Sequence, residues 1–547
     1  MPVHLIGRLC FVLLLVVSLG LVPVSAQVPG DGPVEPQQTG FDPDAFSDLA
    51  IGVPGESLAG VAGAGAVNAL YGTPDGLSAL RGHLWSQNEV GADPPEVGDE
   101  FGLALAAGDF DGDGSGDLAV GVPREDILGQ ADAGAVNVLY GSGAGLVATG
   151  SQFWYQGSGG TAGLAEAGDE FGRALSTGDF DGDGYDDLAV GVPWEDVAGA
   201  ADAGAVHVFY GSAGGLTSLR DEIWDQSNPE VIGTAQAGDE FGRALAGGDF
   251  DADGYDDLAI GVRGVDIGPL ENAGRVIVLY GSAGGLSALG DQLWDQNNPE
   301  IEGLAEADDL FGDALTSGYL NGDPYADLAI GITKEDVNGA LDAGAALILY
   351  GSAIGLSTTN NQLWTQDSAG VADVAEEGDF FGRALVAGDM NGDTYEDLAV
   401  AAPFEDLVIG EVITDAGGVN VLYGTSFGLS ATGNQHWYQG RLEVLGASEP
   451  GDAFGFALAT GDFDADGFGD LAVGVPSETP DGAVDAGAVN VLYGSGSGLS
   501  TAGNELWRQD SPDVEGTPQT GDLFGLALAA VPRGRFRVFL PLVLRNY

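Results

Sequence analysis

The sequence predicts an all-β protein, a seven-bladed β-propeller of four-stranded blades, closed by pairing of its N- and C-terminal strands. Three observations predict it. An acidic loop running into a hydrophobic segment, cleanest at 178–193 as GDFDGDGYDDLAVGVP, is written out again and again. Four signatures alternate in fixed order seven times: F-G-x-A-L, the acidic loop, an apolar run ending in Y-G, and W-x-Q. The Phe-Gly step is 70 residues, except for one of 73 between Phe381 and Phe454. Segments such as DLAVGVP and AVHVFYG are short, β-branched and apolar on both faces, which suits strands sandwiched between sheets, and no 3.6-residue stripe competes. Four strands per repeat and seven repeats make a propeller.

In chain order, residues 1–26 read as a secretory signal: Arg8 before an apolar run, then Val24-Ser25-Ala26 as a small-residue cleavage site. The one cysteine, Cys10, falls inside that signal. The mature chain is then free of disulfides and thiol chemistry, and bound cations become the natural staple of an exported protein. Residues 27–39 are rich in Pro, Gly and Gln and read as a disordered lead-in. The propeller is expected over 40–530. The chain enters it in mid-repeat, at a degenerate loop (40–48), and leaves after the seventh FGLAL at 524–528, so the last strand must complete the first blade. A basic and apolar tail, 531–547, follows; Arg533 or Arg535 is expected to lie against Asp42, Asp44 and Asp48, where Gly40 stands in place of a first Asp. No segment beyond the signal is long enough to span a membrane.

The loops carry the chemistry. Carboxylates at positions 1, 3, 5 and 9, with Gly at position 6, can converge on one hard cation wanting six to eight oxygens. Calcium is therefore expected at Asp109, Asp111, Asp113 and Asp117; at Asp179, Asp181, Asp183 and Asp187; at Asp249, Asp251, Asp253 and Asp257; and at Asp462, Asp464, Asp466 and Asp470. A weaker site is expected at Asp389, Asn391, Asp393 and Asp397, where Thr394 replaces the Gly. In the fourth blade Tyr319 and Pro324 replace the first ligand and the Gly, and no ion is expected. An EF-hand needs a bidentate Glu at position 12 between helices, and here position 12 is Val or Ile inside a strand. The competing reading is a set of hydrogen-bonded Asx turns without metal.

Composition bounds the partners. The formal charge is −68, from 84 acidic against 16 basic residues, so nucleic acid and anionic membranes would be repelled. A second acidic set (Glu125, Asp126, Asp132 and their equivalents) reads as turns in which Asp caps its own backbone, with an extra cation site as the sharper alternative. The repeated Trp residues read as core. Enzyme signals are poor: His83, His207 and His436 stand in unrelated repeat positions, and no nucleophile motif, phosphate loop or zinc spacing is present.

The FG…GDxDGDGxxDLAVGxP…GAVxVxxG pattern resembles the FG-GAP repeats of the integrin alpha-subunit propeller and of the glycosylphosphatidylinositol-specific phospholipase D, over about 40–530. The resemblance implies a seven-bladed propeller with calcium between the first and second strands of some blades and, in integrins, ligand binding on the opposite face. No inserted adhesion domain or phospholipase domain is present, so integrin ligand specificity does not carry over. The expected function is a secreted calcium-binding module for adhesion to an extracellular protein or glycan, expected to be monomeric. The alternatives are a carbohydrate-active hydrolase or lyase on the same scaffold and a purely structural surface protein. No catalytic residue is nominated.

Overall fold

The computed structural model describes residues 40–91 and 93–531; the signal, the lead-in, Arg533, Arg535 and the rest of the tail lie outside the described residues. Seven four-stranded antiparallel sheets account for nearly all the regular structure among them. Blade 1 is built from Ala104–Gly108, Asp117–Val122, Ala135–Tyr140 and Val147–Trp154, paired in that order. Blades 2 to 6 repeat the pattern, their fourth strands ending at Trp224, Trp294, Trp364, Trp437 and Trp507.

Blade 7 is shared between the two ends of the chain. Leu528–Ala530 pairs with Leu49–Val53 in the register Leu49↔Ala530 and Ile51↔Leu528, and Ala66–Thr73 and Gly76–Trp85 complete the sheet. The expected closure is therefore observed. An axial cavity of about 280 Å³ is ringed by one Ala-Leu pair from each F-G-x-A-L signature, from Ala104-Leu105 round to Ala527-Leu528.

Burial follows strand position. In blade 1 the second and third strands are wholly buried, whereas the fourth, VATGSQFW, is partly exposed. That gradient is why DLAVGV and AVNVLY are apolar on both faces while the outer strand alternates with polar residues. The cores lie between blades: Val136 and Val138 of blade 1 pack with Phe171, Leu188 and Val190 of blade 2. Every Phe of the F-G signature is fully buried. Its Gly answers a close approach in a left-handed bend, since Gly172 of blade 2 sits at φ +91 and a Cβ on it would lie 2.6 Å from the Ala135 carbonyl oxygen of blade 1. The Y-G tyrosines tie neighbours together; the Tyr71 hydroxyl accepts the Leu146 N–H at 3.1 Å, and that of Tyr493 accepts Leu77 N–H at 3.2 Å across the closing seam.

The irregular step of 73 residues has a local cause. In most blades the turn after the second strand joins an Asp side chain to a backbone N–H six residues on, as in Asp126 Oδ1 accepting from Asp132 at 3.1 Å. In blade 5 the same bond, Asp406 to Asp415, spans nine residues, and the extra length forms a two-stranded hairpin, Leu407–Val408 with Val412–Ile413. These bonds make Asp126 and its equivalents turn caps, whereas Glu125 of the same set accepts from Gln87 Nε2.

Candidate metal centre

In blades 1 to 6 the acidic loop joins the first strand to the second, and in blade 7 its remnant leads into the second strand, so all of them lie on one face of the ring, opposite the F-G ends. In blade 1, Asp109 Oδ1 accepts the N–H of Gly112 at 2.7 Å and of Asp113 at 3.1 Å, while its Oδ2 accepts from Gly114 at 3.0 Å. Gly114 sits at φ +87, the left-handed bend anticipated at position 6, and Gly184, Gly254 and Gly467 match it at +93, +96 and +97.

The Asp at position 9 is the loop's anchor. Asp117 Oδ2 accepts from Phe110 N–H and Oδ1 from Gly141 N–H, both at 2.8 Å, linking the loop to the Y-G end of the third strand. The same pair of bonds is made by Asp48 and Asp327, in the two eroded loops. Sequence reasoning cast this residue as a ligand and missed its scaffolding role. The signal for it was its presence in every copy, including the two that had lost the first ligand.

Oxygens of positions 1, 3 and 9 come within 4.8 Å of one another in four loops: Asp109/Asp111/Asp117, Asp179/Asp181/Asp187, Asp249/Asp251/Asp257 and Asp462/Asp464/Asp470. The position-5 residues, Asp113, Asp183, Asp253 and Asp466, fall outside these groups. Their carboxylates instead accept the N–H two residues on, as Asp113 does from Ser115 at 2.8 Å. In blade 5 Asp389 and Asp397 keep their places, Asn391 Nδ2 faces Asp397 Oδ1 at 3.4 Å, and Thr394 is held at φ +77. Blade 4, with Tyr319 and Pro324, forms no such group among the described residues.

The donor set suits a hard divalent cation: carboxylate oxygens only, closely spaced and poorly hydrated. Burial pushes Asp117 up to about 8 and Asp187 and Asp257 up to about 9, with like charge from Asp111, Asp181 and Asp251 adding to it and backbone donors opposing it. A cation would relieve this.

Two arginines that sequence reasoning overlooked reach these loops. Arg81 pairs with Asp42 in the eroded loop of blade 7 and lies 4.5 Å from the Tyr71 ring. Arg220 Nη1 pairs with Asp181 at 2.5 Å, and the guanidinium carbon lies 4.5 Å from the centre of the Tyr210 ring. Both stand four residues before the fourth-strand Trp, where the other blades have Gly150, Gly290, Asn360, Gly433 and Gly503. A salt bridge in place of an ion was expected in blade 7; among the described residues Arg81 supplies it.

Comparison with known proteins picks out the same repeats. A family model described as FG-GAP repeat matches 101–139, 171–209, 241–279, 381–422 and 454–492, the repeats whose loops kept their acids. Integrin alpha-PS2 of Drosophila melanogaster is 32% identical over 242 residues, 41% of this chain and 15% of that protein. Integrin alpha-5 of Xenopus laevis is 32% identical over 245 residues, 44% of this chain and 20% of that protein. Phosphatidylinositol-glycan-specific phospholipase D of Rattus norvegicus is 35% identical over 161 residues, 29% and 18% respectively. The matched stretches thus span a fifth or less of these relatives. Among solved structures, rhamnogalacturonan lyase YesW aligns with a TM-score of 0.36 and 11% identity, covering 89% of this chain and 78% of that one.

Proposed function

Because five stretches of the chain match the FG-GAP repeat and resemble integrin alpha subunits, we propose that it works outside the cell as a calcium-stabilised binding module for adhesion. The observation that carries this reading is the coincidence of two sets: the blades matching the repeat model include all those with three converging carboxylates. The signal-like segment at 1–26 and the cysteine-free remainder fit an exported protein. Among the described residues no helix is long and apolar enough to cross a membrane.

Positions 1, 3 and 9 of the loops in blades 1, 2, 3 and 6 would hold calcium, with position 5 drawn in from its turn. Bound there, the ion neutralises the clustered carboxylates and cross-links the loop. The chain's own residues do the rest: Asp117 and its equivalents pin the loop to the third strand, and the left-handed glycines let the chain turn back on itself. Extracellular calcium sites with a dissociation constant of ~0.1 mM, at ~1 mM calcium, contribute about 1.4 kcal/mol each.

Melting in 1 mM calcium and in EGTA tests the metal half, with a rise of several degrees in calcium expected. Saturable attachment of the full chain to immobilised matrix proteins, without turnover, tests the adhesive half. Indifference to EGTA sinks the first, and an absence of attachment sinks the second.

A further inference from the structure

The blades are not equal on the face that carries the acidic loops. The turns from third to fourth strand lie on that face too, and each packs on the Y-G tyrosine of the blade before it, as Gly428 does on Tyr350, whose hydroxyl accepts the Leu429 N–H at 3.1 Å. In blade 2 the space between loop, tyrosine and next turn is filled from within. Arg220 reaches across it, pairing with Asp181, covering the Tyr210 ring and donating to the Gly284 carbonyl of blade 3 at 2.9 Å. In blade 4 the same space is open. It is a cleft of about 680 Å³ between Asn321 and Asp323 of the loop, Asn360 of the fourth strand, and Phe427 on the turn of blade 5. That volume falls in the range of small-molecule sites, ~300–1,000 Å³.

The lining has changed in kind as well. Asn360 takes the place of Arg220, and Asn321 that of Asp181, so an ion pair has become two amides. Asn360 sits at φ +60, where four other blades place a glycine, and among the described residues its exposed amide has no hydrogen-bond partner. Asn321 Oδ1 accepts the Asp323 N–H at 2.8 Å, which leaves its Nδ2 to donate. The back of the cleft is fixed. There the Tyr350 hydroxyl donates to Gln362 Oε1, and Asn361 Nδ2 donates to the Glu300 and Thr358 carbonyls at 2.8 and 2.7 Å. Phe427 forms the rim. It is 89% exposed, at a turn position held by Gly214 and Gly284 in blades 2 and 3, and presents a flat apolar face to whatever enters.

Resting on the reading of the chain as a binding module, we propose that the blade-4 cleft is a site for a neutral saccharide, one sugar ring lying on Phe427 with its hydroxyls on Asn360, Asn321 and Asp323. The chemistry selects that class. A sugar hydroxyl donates and accepts, as the two amides do together, while the C–H face of the ring suits an aromatic wall. An anionic ligand would meet Asp323 and a chain of net charge −68. A cationic side chain would find the carboxylate that holds Arg220 in blade 2 replaced by Asn321, and the ion pair lost.

The test is calorimetric titration of the full chain, in calcium, with the methyl glycosides of glucose, galactose, mannose and N-acetylglucosamine. At least one binds. N360G, which installs the residue of four other blades, and F427S, which installs that of blade 6, each weaken the binding by roughly two- to tenfold without lowering the melting temperature. Four results would overturn the assignment: no binding of any glycoside, no effect of either variant, or tighter binding of polygalacturonate or of an end-blocked Gly-Gly-Arg-Gly-Gly peptide. If the chain attaches to matrix proteins yet ignores the glycosides, the adhesion reading stands and the cleft falls. If it binds a glycoside but no matrix protein, the cleft stands and attachment to matrix proteins falls; if it binds neither, both fall.

Discussion

Single residues in this ring are tuned by where the backbone forces them to sit. Thr394 occupies the position-6 bend at φ +77, a conformation that is costly for a β-branched side chain and free for glycine. Thr394→Gly should stabilise the protein by roughly 0.5–1 kcal/mol even in EGTA, where no metal contributes, as read by thermal melting. Glu405 makes a pH-dependent case. It is fully buried, Gln366 Nε2 donates to its Oε2, and the remaining oxygens of both side chains lack partners. Burial, with Asp379 and Asp373 adding like charge, pushes it from the ordinary 4.5 up to about 9. The folded protein thus keeps a proton that the unfolded chain releases near pH 4.5. This contribution to stability is complete below that value, declines as pH rises, and is lost through about pH 9. Glu405→Gln, neutral throughout and able to donate to the orphaned Gln366 oxygen, should raise the melting temperature by roughly 2–4 °C at pH 8 and by clearly less at pH 5. An equal gain at both would show that the carboxyl is not the source.

At the scale of one loop, what the sequence makes legible and what it hides separate cleanly. Positions 1, 3 and 9 converge as their spacing implies, because a tight turn with a left-handed glycine leaves its short side chains little choice. Position 5 was not legible in the same way: Asp113 could turn inward or cap Ser115, and the local backbone bond is the one formed here. Nor could spacing reveal Arg220, whose partner Asp181 lies 39 residues away and is met only because the fourth strand passes beside the loop. Arg220 competes directly for a ligand of the blade-2 loop. Arg220→Gly, which restores the residue found in blades 1, 3, 5 and 6, should therefore tighten calcium at that loop by roughly two- to tenfold, since the largely exposed Arg220 end leaves the pair screened by solvent although Asp181 is buried, and such a pair is worth a few tenths of a kcal/mol to ~1 kcal/mol. Calcium titration should show one class of sites shifting to lower concentration while the others hold. The blade-4 cleft was hidden for a related reason: Asn321, Asn360 and Phe427 each look like a variable residue of their own segment, and only the folded ring makes them neighbours.

For the whole molecule, stability is a property of the circle. Blades bury their apolar faces against each other, so an open arc would leave two faces exposed where the ring leaves none. The seam at blade 7 is held by the short strand Leu528–Ala530 on Leu49–Val53, by Phe524, which is fully buried, and by the Tyr493 hydroxyl on Leu77. Ending the chain after Leu526 removes that strand while sparing every acidic loop. It should unpair Leu49 and Ile51, expose a hydrophobic inner edge, and lower the melting temperature in calcium by more than EGTA lowers that of the intact chain. Light scattering should show self-association through the freed edge. A peptide covering residues 524–531 added in excess should restore part of the loss, because the vacancy is strand-shaped and the register Leu49↔Ala530 is already set by its neighbours. A truncated chain that melts like the intact one would mean that the calcium loops and the Y-G tyrosines hold the circle without its last strand.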